Sequence, residues 1–304
     1  MGVQSKGEQM GKSLQASIVI PFHNSDHRIF GAIASCLTQT VSDIEVLLCD
    51  DGAPSSFLAE LGEISDPRVR LLVDGENLGL AERINRSVSQ IRSPFYFRMD
   101  ADDLCVRNRV ELQLQMLASN PSAMVVAGSC YVMDEDGAII GARDAADGYI
   151  DRPSLASSSA LVHPTVAFRA SWLEDHPYDG GLRRTEDRFY WYDNFSNDTI
   201  LTTSSRLLFY RARRKFGAHT LRTAAREERE QFIKRTEPGA TRLKLISRSV
   251  LRERARIAAE LLGAGGALRA RTIRQLGDRE RDLATTELRS MAVAAAVLRS
   301  KKRI

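Results

Sequence analysis

Three carboxylates follow one short apolar run in the first third of the chain. Residues 96–103 read YFRMDADD, so Asp100, Asp102 and Asp103 come directly after aromatic and apolar side chains. Such a run is typical of a buried strand, and because buried unpaired charges are costly, the strand is expected to end at Met99. The acids then lie at its carboxyl end, where ligands bind in open α/β sheets. A divalent cation held together with substrate phosphates is one interpretation, and a solvated acidic turn that caps the next helix is the other.

Two further acidic pairs lie at the ends of predicted secondary-structure elements. Asp50 and Asp51 follow the apolar run 44–49, and in a parallel sheet they would emerge at the same edge as the first group. Glu186 and Asp187 follow Thr185 at the start of a predicted helix. Acids in a first helical turn complement the helix dipole, or one of them serves as a general base at a cleft.

These acids depend on elements that alternate along the chain. Strands are predicted at 17–22, 44–49, 69–73, 95–99 and 124–128 and, after a turn, within 162–169. Helices are predicted at 29–40, 55–64, 80–91 and 107–118, and from residue 185 onward. Alternation of this kind indicates an α/β fold with a mainly parallel central sheet and helices on both faces.

Composition and charge divide the chain into regions. The 304 residues are 43% hydrophobic and 27% charged, without a long uncharged apolar stretch or an apolar leader, so no membrane span or signal peptide is predicted. Four cysteines in apolar surroundings indicate buried free thiols and a cytoplasmic protein. We expect a flexible N-terminus at 1–15, a catalytic or binding domain at 16–211, and a basic helical region at 212–304.

The C-terminal region is strongly basic. Residues 211–304 contain 25 Lys and Arg against 10 Asp and Glu, whereas the remainder is acidic. Helical stripes are predicted at 243–261 and 288–298, with a break at 263–266. The region is either a helical appendage with a solvated basic face or an amphipathic surface that contacts anionic membrane at the inner face of the cell membrane. Scarce aromatic residues argue against nucleic-acid binding by base stacking.

Six motifs in fixed order resemble the family 2 glycosyltransferases, which are inverting enzymes with the GT-A fold. They are SIVIPFHN at 17–24, DDG at 50–52, NLGL at 77–80, MDADD at 99–103, HPT at 163–165, and Glu186-Asp187 with Trp191. The resemblance spans about 16–211 and is strongest to the bacterial branch that builds surface polysaccharides. Departures are His23 in place of a usual Tyr, Ala53-Pro54 in place of Ser-Thr, and the aromatic-rich stretch 188–191.

The resemblance implies roles for particular residues. Those implied to bind the nucleotide-sugar are Pro21, Asn24, Asp51, Asn77, Gly79 and Asp100. Asp100 and Asp102 resemble the Asp-x-Asp pair that meets Mg²⁺ or Mn²⁺ and the diphosphate, and whether Asp103 joins them is open. Asp187 resembles the catalytic base. His163, Glu186 and Trp191 are expected on the acceptor side.

The implied reaction is transfer of one sugar to a hydroxyl of a glycan or lipid-linked acceptor, with a UDP-sugar as the expected donor. No processive motif of the Gln/Arg-x-x-Arg-Trp type is present. Two alternatives are a sugar-1-phosphate nucleotidyltransferase and an inactive nucleotide-sugar-binding scaffold. The first lacks its expected Gly-rich loop after the first strand, and intact Asp51, Asp102 and Asp187 argue against the second. A dinucleotide-binding oxidoreductase is disfavoured because no G-x-G-x-x-G follows the first strand.

Overall fold

The structure is a computed structural model that describes residues 13–24, 26–150, 161–194, 199–212, 217–262 and 273–300. The strands are β1 Ala16–Phe22, β2 Ile44–Asp50, β3 Val69–Leu72, β4 Phe95–Arg98, β5 Leu104–Cys105, β6 Val125–Met133, β7 Ile139–Arg143, β8 Gly148–Tyr149, β9 Ala167–Arg169 and β10 Ile200–Arg211. The helices are α1 Ile29–Leu37, α2 Ser55–Gly62, α3 Leu80–Val88, α4 Arg109–Ser119, α5 Ala170–Asp175, α6 Glu186–Asn194, α7 Ala218–Arg235, α8 Ala240–Leu261 and α9 Asp278–Ser300.

These strands form one sheet of mixed direction. Their order is β3-β2-β1-β4-β9-β6-β10-β5, with β7 beside β6 and β8 beside β10. The strands β3, β2, β1 and β4 are parallel to one another, and so are β6 and β10, whereas β9 runs antiparallel to both of its neighbours. The carboxyl ends of β1, β2 and β4 therefore meet at one edge, and the predicted mostly parallel α/β sheet is confirmed.

Helices cover both faces of the sheet, which explains the continuous apolar runs of the central strands. Apolar side chains of α1, α2 and α4 pack on one face, and those of α3, α5 and α6 pack on the other. Every residue of β1 and β2 is consequently buried, including Ser17 and Glu45. The Ser17 hydroxyl donates to Glu45 over 2.6 Å and the Arg70 guanidinium over 2.7 Å, so this buried charge is paired.

The last described helix, α9, packs back onto the sheet domain. Its residues Ala284 and Met291 are buried against Val106, Met133 and Phe209. The predicted apolar stripe of α9 therefore lies in the core. The other two C-terminal helices, α7 and α8, pack against each other. Among the described helices, none has both the length and the apolar character that crossing a membrane requires.

Several elements have no counterpart in the sequence prediction. The strand β10 was missed because its middle, Thr202–Arg206, is polar, and its register with β6 shifts on either side of Arg206. The short β5, β7 and β8 and the helix α5 were missed as well. All four cysteines are free and buried, as predicted. The expectations for the flexible N-terminus and for the break at 263–266 fall largely at 1–12 and 263–272, outside the described residues.

Candidate active site

The site lies at the edge where β1, β2 and β4 end. Phe22 at the end of β1 is level with Asp50 at the end of β2, so His23 and Asn24 leave the sheet beside Asp51. Pro21 is buried within β1, whereas His23 and Asn24 are exposed at the mouth. Parallel pairing alone produces this convergence, because neighbouring chains emerge on the same side.

Asp51 holds the loop that precedes α3. Its carboxylate accepts hydrogen bonds from the backbone N–H groups of Leu78 at 2.8 Å and Gly79 at 3.1 Å, and the Arg83 guanidinium lies 3.4 Å away. His23 Nδ1 lies 2.9 Å from both the Asp51 carbonyl oxygen and the Asn77 side-chain amide nitrogen. Three of the sequence-predicted nucleotide residues are thereby joined in one hydrogen-bonded unit.

Gly79 adopts a backbone conformation that favours glycine. Its φ is +83°, in the left-handed region, and a Cβ there would require the flexible Arg183 guanidinium to move. The close approach of Arg183 to Gly79 brings the segment that leads to Glu186 and Asp187 against the loop at 77–79. Asp187 is therefore on the same side of the molecule as Asp51.

Asp50 has a different position from Asp51. Its Oδ1 accepts from the backbone N–H groups of Gly52 at 3.1 Å and Ala53 at 2.7 Å, which closes the turn after β2. The Asp50 side chain is fully buried. This acid holds the turn after β2, and its side chain does not face the open edge of the sheet.

The three acids after β4 lie among arginines. Asp100 Oδ1 is 2.6 Å from Arg98 Nη2, and Asp102 Oδ2 is 3.9 Å from Arg28 Nη1. Arg211, at the end of β10, donates from Nε to the Asp102 carbonyl oxygen over 2.9 Å. The positive group expected from the sequence is thus partly supplied by the protein itself. Within the described residues, no group of three or more His, Cys, Asp or Glu side chains could hold a metal ion.

Asp103 is buried and differs from the other two acids. Its Oδ1 accepts from the backbone N–H of Arg211 over 2.7 Å, and in the part of the chain that the structure describes Oδ2 has no hydrogen-bond partner. Burial, and then the charges of Asp100 and Asp102, raise the pKa of Asp103 well above its ordinary value. The Asp103 side chain links the acid loop to β10. Its partner lies 108 residues further along the chain, so a local sequence pattern cannot reveal this contact.

Arg98 connects the acid loop to the residues at the start of α6. Its guanidinium is buried and pairs with Asp100, and its Nε and Nη1 have no hydrogen-bond partner among the described residues. The same guanidinium acts electrostatically on Glu186 and Asp187, where it opposes the rise in their pKa values. We therefore place the two acidic groups of the sequence prediction around one shared buried cation. Sequence reasoning assigned Arg98 no role, although its position just before Met99 and Asp100 was a signal.

Glu186 and Asp187 occupy the first turn of α6 in a dehydrated environment. Burial, and then the charge of Asp187, raise the pKa of Glu186 to about 7. Burial also raises the pKa of Asp187, while the backbone N–H of Arg188 donates to its Oδ1 over 2.7 Å. Asp187 lines a cleft of about 240 Å³ between α6 and the α7–α8 pair. A carboxylate with a raised pKa at a cleft is suited to accept a proton.

His163 and Trp191 form an aromatic layer beneath these acids. His163 Nε2 lies 2.7 Å from the Tyr178 hydroxyl, and burial, reinforced by Arg98, lowers the pKa of His163 well below its ordinary value. The Trp191 ring is nearly parallel to that of Phe168 and meets His163 edge-on. His163 is therefore neutral near pH 7, and Trp191 also lines the cleft.

This fold is found in glycosyltransferases. The crystal structure of S. aureus TarS 1–349 in complex with UDP-GlcNAc superposes with a TM-score of 0.59 at 14% sequence identity, covering 81% of this chain and 75% of that one. The likeness establishes the GT-A fold that the sequence motifs predicted.

Sequence comparison gives the family. A family model described as Glycosyl transferase family 2 matches residues 17–175, just over half of the chain. WfgD of Escherichia coli, named a UDP-Glc:alpha-D-GlcNAc-diphosphoundecaprenol beta-1,3-glucosyltransferase, is 26% identical over 60% of this chain and 71% of its own length. Chondroitin synthase of Escherichia coli is 32% identical over 51% of this chain, a match that spans 23% of that enzyme. The chain belongs to glycosyltransferase family 2, and the resemblance stated from its motifs is confirmed.

Proposed function

We propose that the protein transfers a single sugar, with inversion, from a UDP-sugar to a hydroxyl of a glycan or lipid-linked acceptor during bacterial surface-polysaccharide synthesis. One observation carries this proposal: Arg98 pairs with Asp100 and also acts electrostatically on Glu186 and Asp187, which supports one site for the donor-side and base-side groups. The names of relatives support the donor class, since WfgD is described with UDP-Glc and TarS with UDP-GlcNAc.

The nucleotide is assigned to the mouth of β1 and β2. Pro21 and Asn24 would contact the base and ribose from one side, and Asn77 and Gly79 from the other. Asp51 would act largely by holding the backbone of the loop at 77–79, because both of its oxygens already accept hydrogen bonds from Gly79. Its side chain retains some exposure, so one lone pair is available for an imide N–H of uracil.

Asp100 and Asp102 are assigned to Mg²⁺ or Mn²⁺ and the diphosphate. Their side chains are 31% and 27% exposed at the mouth. Two carboxylates are a fitting protein contribution, because Mg²⁺ is usually held by one or two carboxylates, water and substrate phosphates. When bound, such a cation stabilises negative charge on the departing diphosphate. The buried Asp103 fits a different role, that of fixing β10 to the acid loop.

Asp187 is assigned as the general base. The acceptor hydroxyl would lose its proton to the Asp187 carboxylate while its oxygen forms a bond to the anomeric carbon. The bond from that carbon to the phosphate oxygen breaks, and the nucleoside diphosphate leaves with the electron pair. His163, Glu186 and Trp191 would form the wall behind the acceptor, and His163 is a weak proton acceptor there because burial, reinforced by Arg98, lowers its pKa.

The assignment is tested by separating donor binding from transfer. Asp187→Asn should bind UDP like the wild type but lose about 10²–10⁴-fold in transfer rate, the usual contribution of a general base. Asp193→Asn, an exposed acid on the same helix, is the matched control and should transfer normally. Near-normal transfer by Asp187→Asn would refute the base assignment.

A second variant tests the metal. Asp102→Ala should lose the Mn²⁺-dependent part of UDP affinity in titration calorimetry performed with and without the ion. An equal gain in affinity on adding Mn²⁺ to wild type and variant would contradict the placement of the metal at this acid.

We further infer that the cytoplasmic protein contacts anionic membrane through α8. Leu243, Leu251 and Leu261 are 66%, 66% and 79% exposed, and helical spacing puts Arg254 on the same side. Exposed leucines with a basic residue suit the surface of an anionic bilayer. Leu251→Asp should reduce flotation with phosphatidylglycerol vesicles, whereas Arg256→Gln, on the other side of the helix, should not. Unchanged flotation of Leu251→Asp would remove this inference.

A further inference from the structure

The cleft that contains Asp187 has a second wall formed by the C-terminal helices. On one side it is lined by α6 and the residues just before it, and on the other by α7 and α8. The side chains from the two C-terminal helices are Leu221, Ala224, Ala225, Glu228, Ser249, Arg252, Glu253 and Arg256. The basic region therefore supplies part of the surface that faces the proposed catalytic base.

Positive charge in this cleft exceeds the negative charge available to pair with it. Arg188 and Arg252 both contact the same buried carboxylate, Glu228, the second over 3.1 Å. Glu253 is taken by Arg229, at 2.6 Å. Arg256 makes no ion pair within the described residues. Apart from the paired Glu253, the lining carries four guanidinium groups, those of Arg184, Arg188, Arg252 and Arg256, against the carboxylates of Asp187 and Glu228, an excess of two positive charges.

The clustering of these arginines is unfavourable without a ligand. Burial, and then the charge of Arg252, lower the pKa of Arg188 to about 10. Partial burial, and then the charge of Arg252, also lower the pKa of Arg256, whose side chain keeps an exposed part. Like charges in such a partly dehydrated cleft are stabilised by an anion that accepts hydrogen bonds from several guanidinium groups.

Ser249 gives a separate indication of a ligand. Its side chain is 1% exposed, it lines the cleft, and its hydroxyl has no hydrogen-bond partner within the described residues. A buried hydroxyl usually has such a partner, because leaving it unsatisfied costs about 1–3 kcal/mol. Its position on α8 is one helical turn from Arg252 and two turns from Arg256, so all three belong to one face.

We propose that this cleft binds a phosphate group carried by the acceptor, next to the hydroxyl that Asp187 deprotonates. The proposal rests on the proposed function, because Asp187 defines the position of that hydroxyl. A phosphate matches the site in charge, since it carries close to two negative charges at neutral pH, and in its several acceptor oxygens. Arg252, Arg256 and Ser249 then select acceptors, and the donor sugar is chosen elsewhere.

The test measures binding of a simple sugar phosphate to the full chain. The protein is first saturated with UDP and Mn²⁺, so that the donor site is filled, and is then titrated with glucose 1-phosphate, methyl glucoside or glucuronate. Glucose 1-phosphate should bind at least about tenfold more tightly than the neutral or carboxylate sugar, as expected for hydrogen bonds to a doubly charged group. Arg256→Gln and Ser249→Ala should each weaken that binding and leave UDP binding unchanged. Arg254→Gln, on the opposite side of α8, should bind like the wild type.

Each other outcome has a definite meaning. Equal binding of the three sugars, or no effect of Arg256→Gln, would overturn the phosphate site while leaving the glycosyltransferase proposal intact. If Arg256→Gln instead weakens binding to phosphatidylglycerol vesicles but not to glucose 1-phosphate, the arginines of the cleft bind lipid headgroups and the acceptor assignment is wrong. Failure of the wild type to bind UDP would count against the proposed function itself. Thermal unfolding of every variant verifies that Arg256, which is exposed, can be replaced without loss of folding.

Discussion

Replacing Glu186 by Gln should change how the stability of the protein depends on pH. The Glu186 side chain is buried, and one of its carboxylate oxygens has no hydrogen-bond partner from any described residue. Burial, then the neighbouring Asp187 charge, raises its pKa to about 7, opposed by Arg98 and reinforced by Glu227. Gln has nearly the same shape and stays neutral, so the substitution removes the ionisation and keeps the side chain in place.

The magnitude follows from the two pKa values. In the unfolded chain the carboxyl titrates near its ordinary value of 4.5, and in the folded protein near 7. Between these values the folded state keeps a proton that the unfolded state has released, so the free energy of unfolding falls as pH rises. The full effect is about 3 kcal/mol, of which about 2.5 kcal/mol falls between pH 5 and pH 8. Glu186→Gln should therefore gain about that much stability relative to the wild type over this interval.

Urea unfolding at pH 5, 6, 7 and 8 measures the effect directly. The quantity to follow is the difference in unfolding free energy between variant and wild type, since the other titrating groups largely cancel. Glu174→Gln, which replaces an exposed acid on α5, is the matched control. Parallel pH profiles for Glu186→Gln and the wild type would show that Glu186 ionises normally, and that the dehydrated acid pair inferred from the structure does not exist.

Three further perturbations test other parts of the structure. Asp51→Asn weakens the bonds that hold the loop at 77–79, so it should lower stability by about 2 kcal/mol and reduce UDP affinity, measured by urea unfolding and calorimetry. Gly79→Ala places a Cβ at a φ of +83° and against Arg183, so it should cost about 1–3 kcal/mol; a neutral effect would mean that the loop differs from the one described. Met291→Ala should cost about 2–5 kcal/mol because it opens a cavity where α9 meets the sheet domain. Val293→Ala on the exposed side of α9 should stay within about 0.5 kcal/mol, and equal effects of the two would separate α9 from the core.

The fold was predictable to the extent that burial follows a simple period. The runs before Asp50 and Asp100 are apolar because their strands are covered on both faces, and the helical stripes between them mark the covering helices. The strand β10 escaped prediction because its bulge interrupts the alternation of buried and exposed side chains. The helical stripe at 288–298 was recognised from its period, but its sequence could not say that it packs on α1 and the sheet.

The sequence by itself determined the family, the positions along the chain of the strands that carry the acids, and the residue types at the site. Those properties are local, since a motif or a hydrophobic period is complete within a few residues. Only the tertiary structure decided that Arg98 pairs with Asp100 and acts on Glu186 and Asp187, that the Arg211 backbone anchors Asp103, and that α8 faces Asp187 across a cleft. Charge interactions and dehydration depend on distance in space and on the surrounding solvent. Residues far apart in the chain determine both the charge interactions and the dehydration, so the spacing of residues along the sequence cannot predict either.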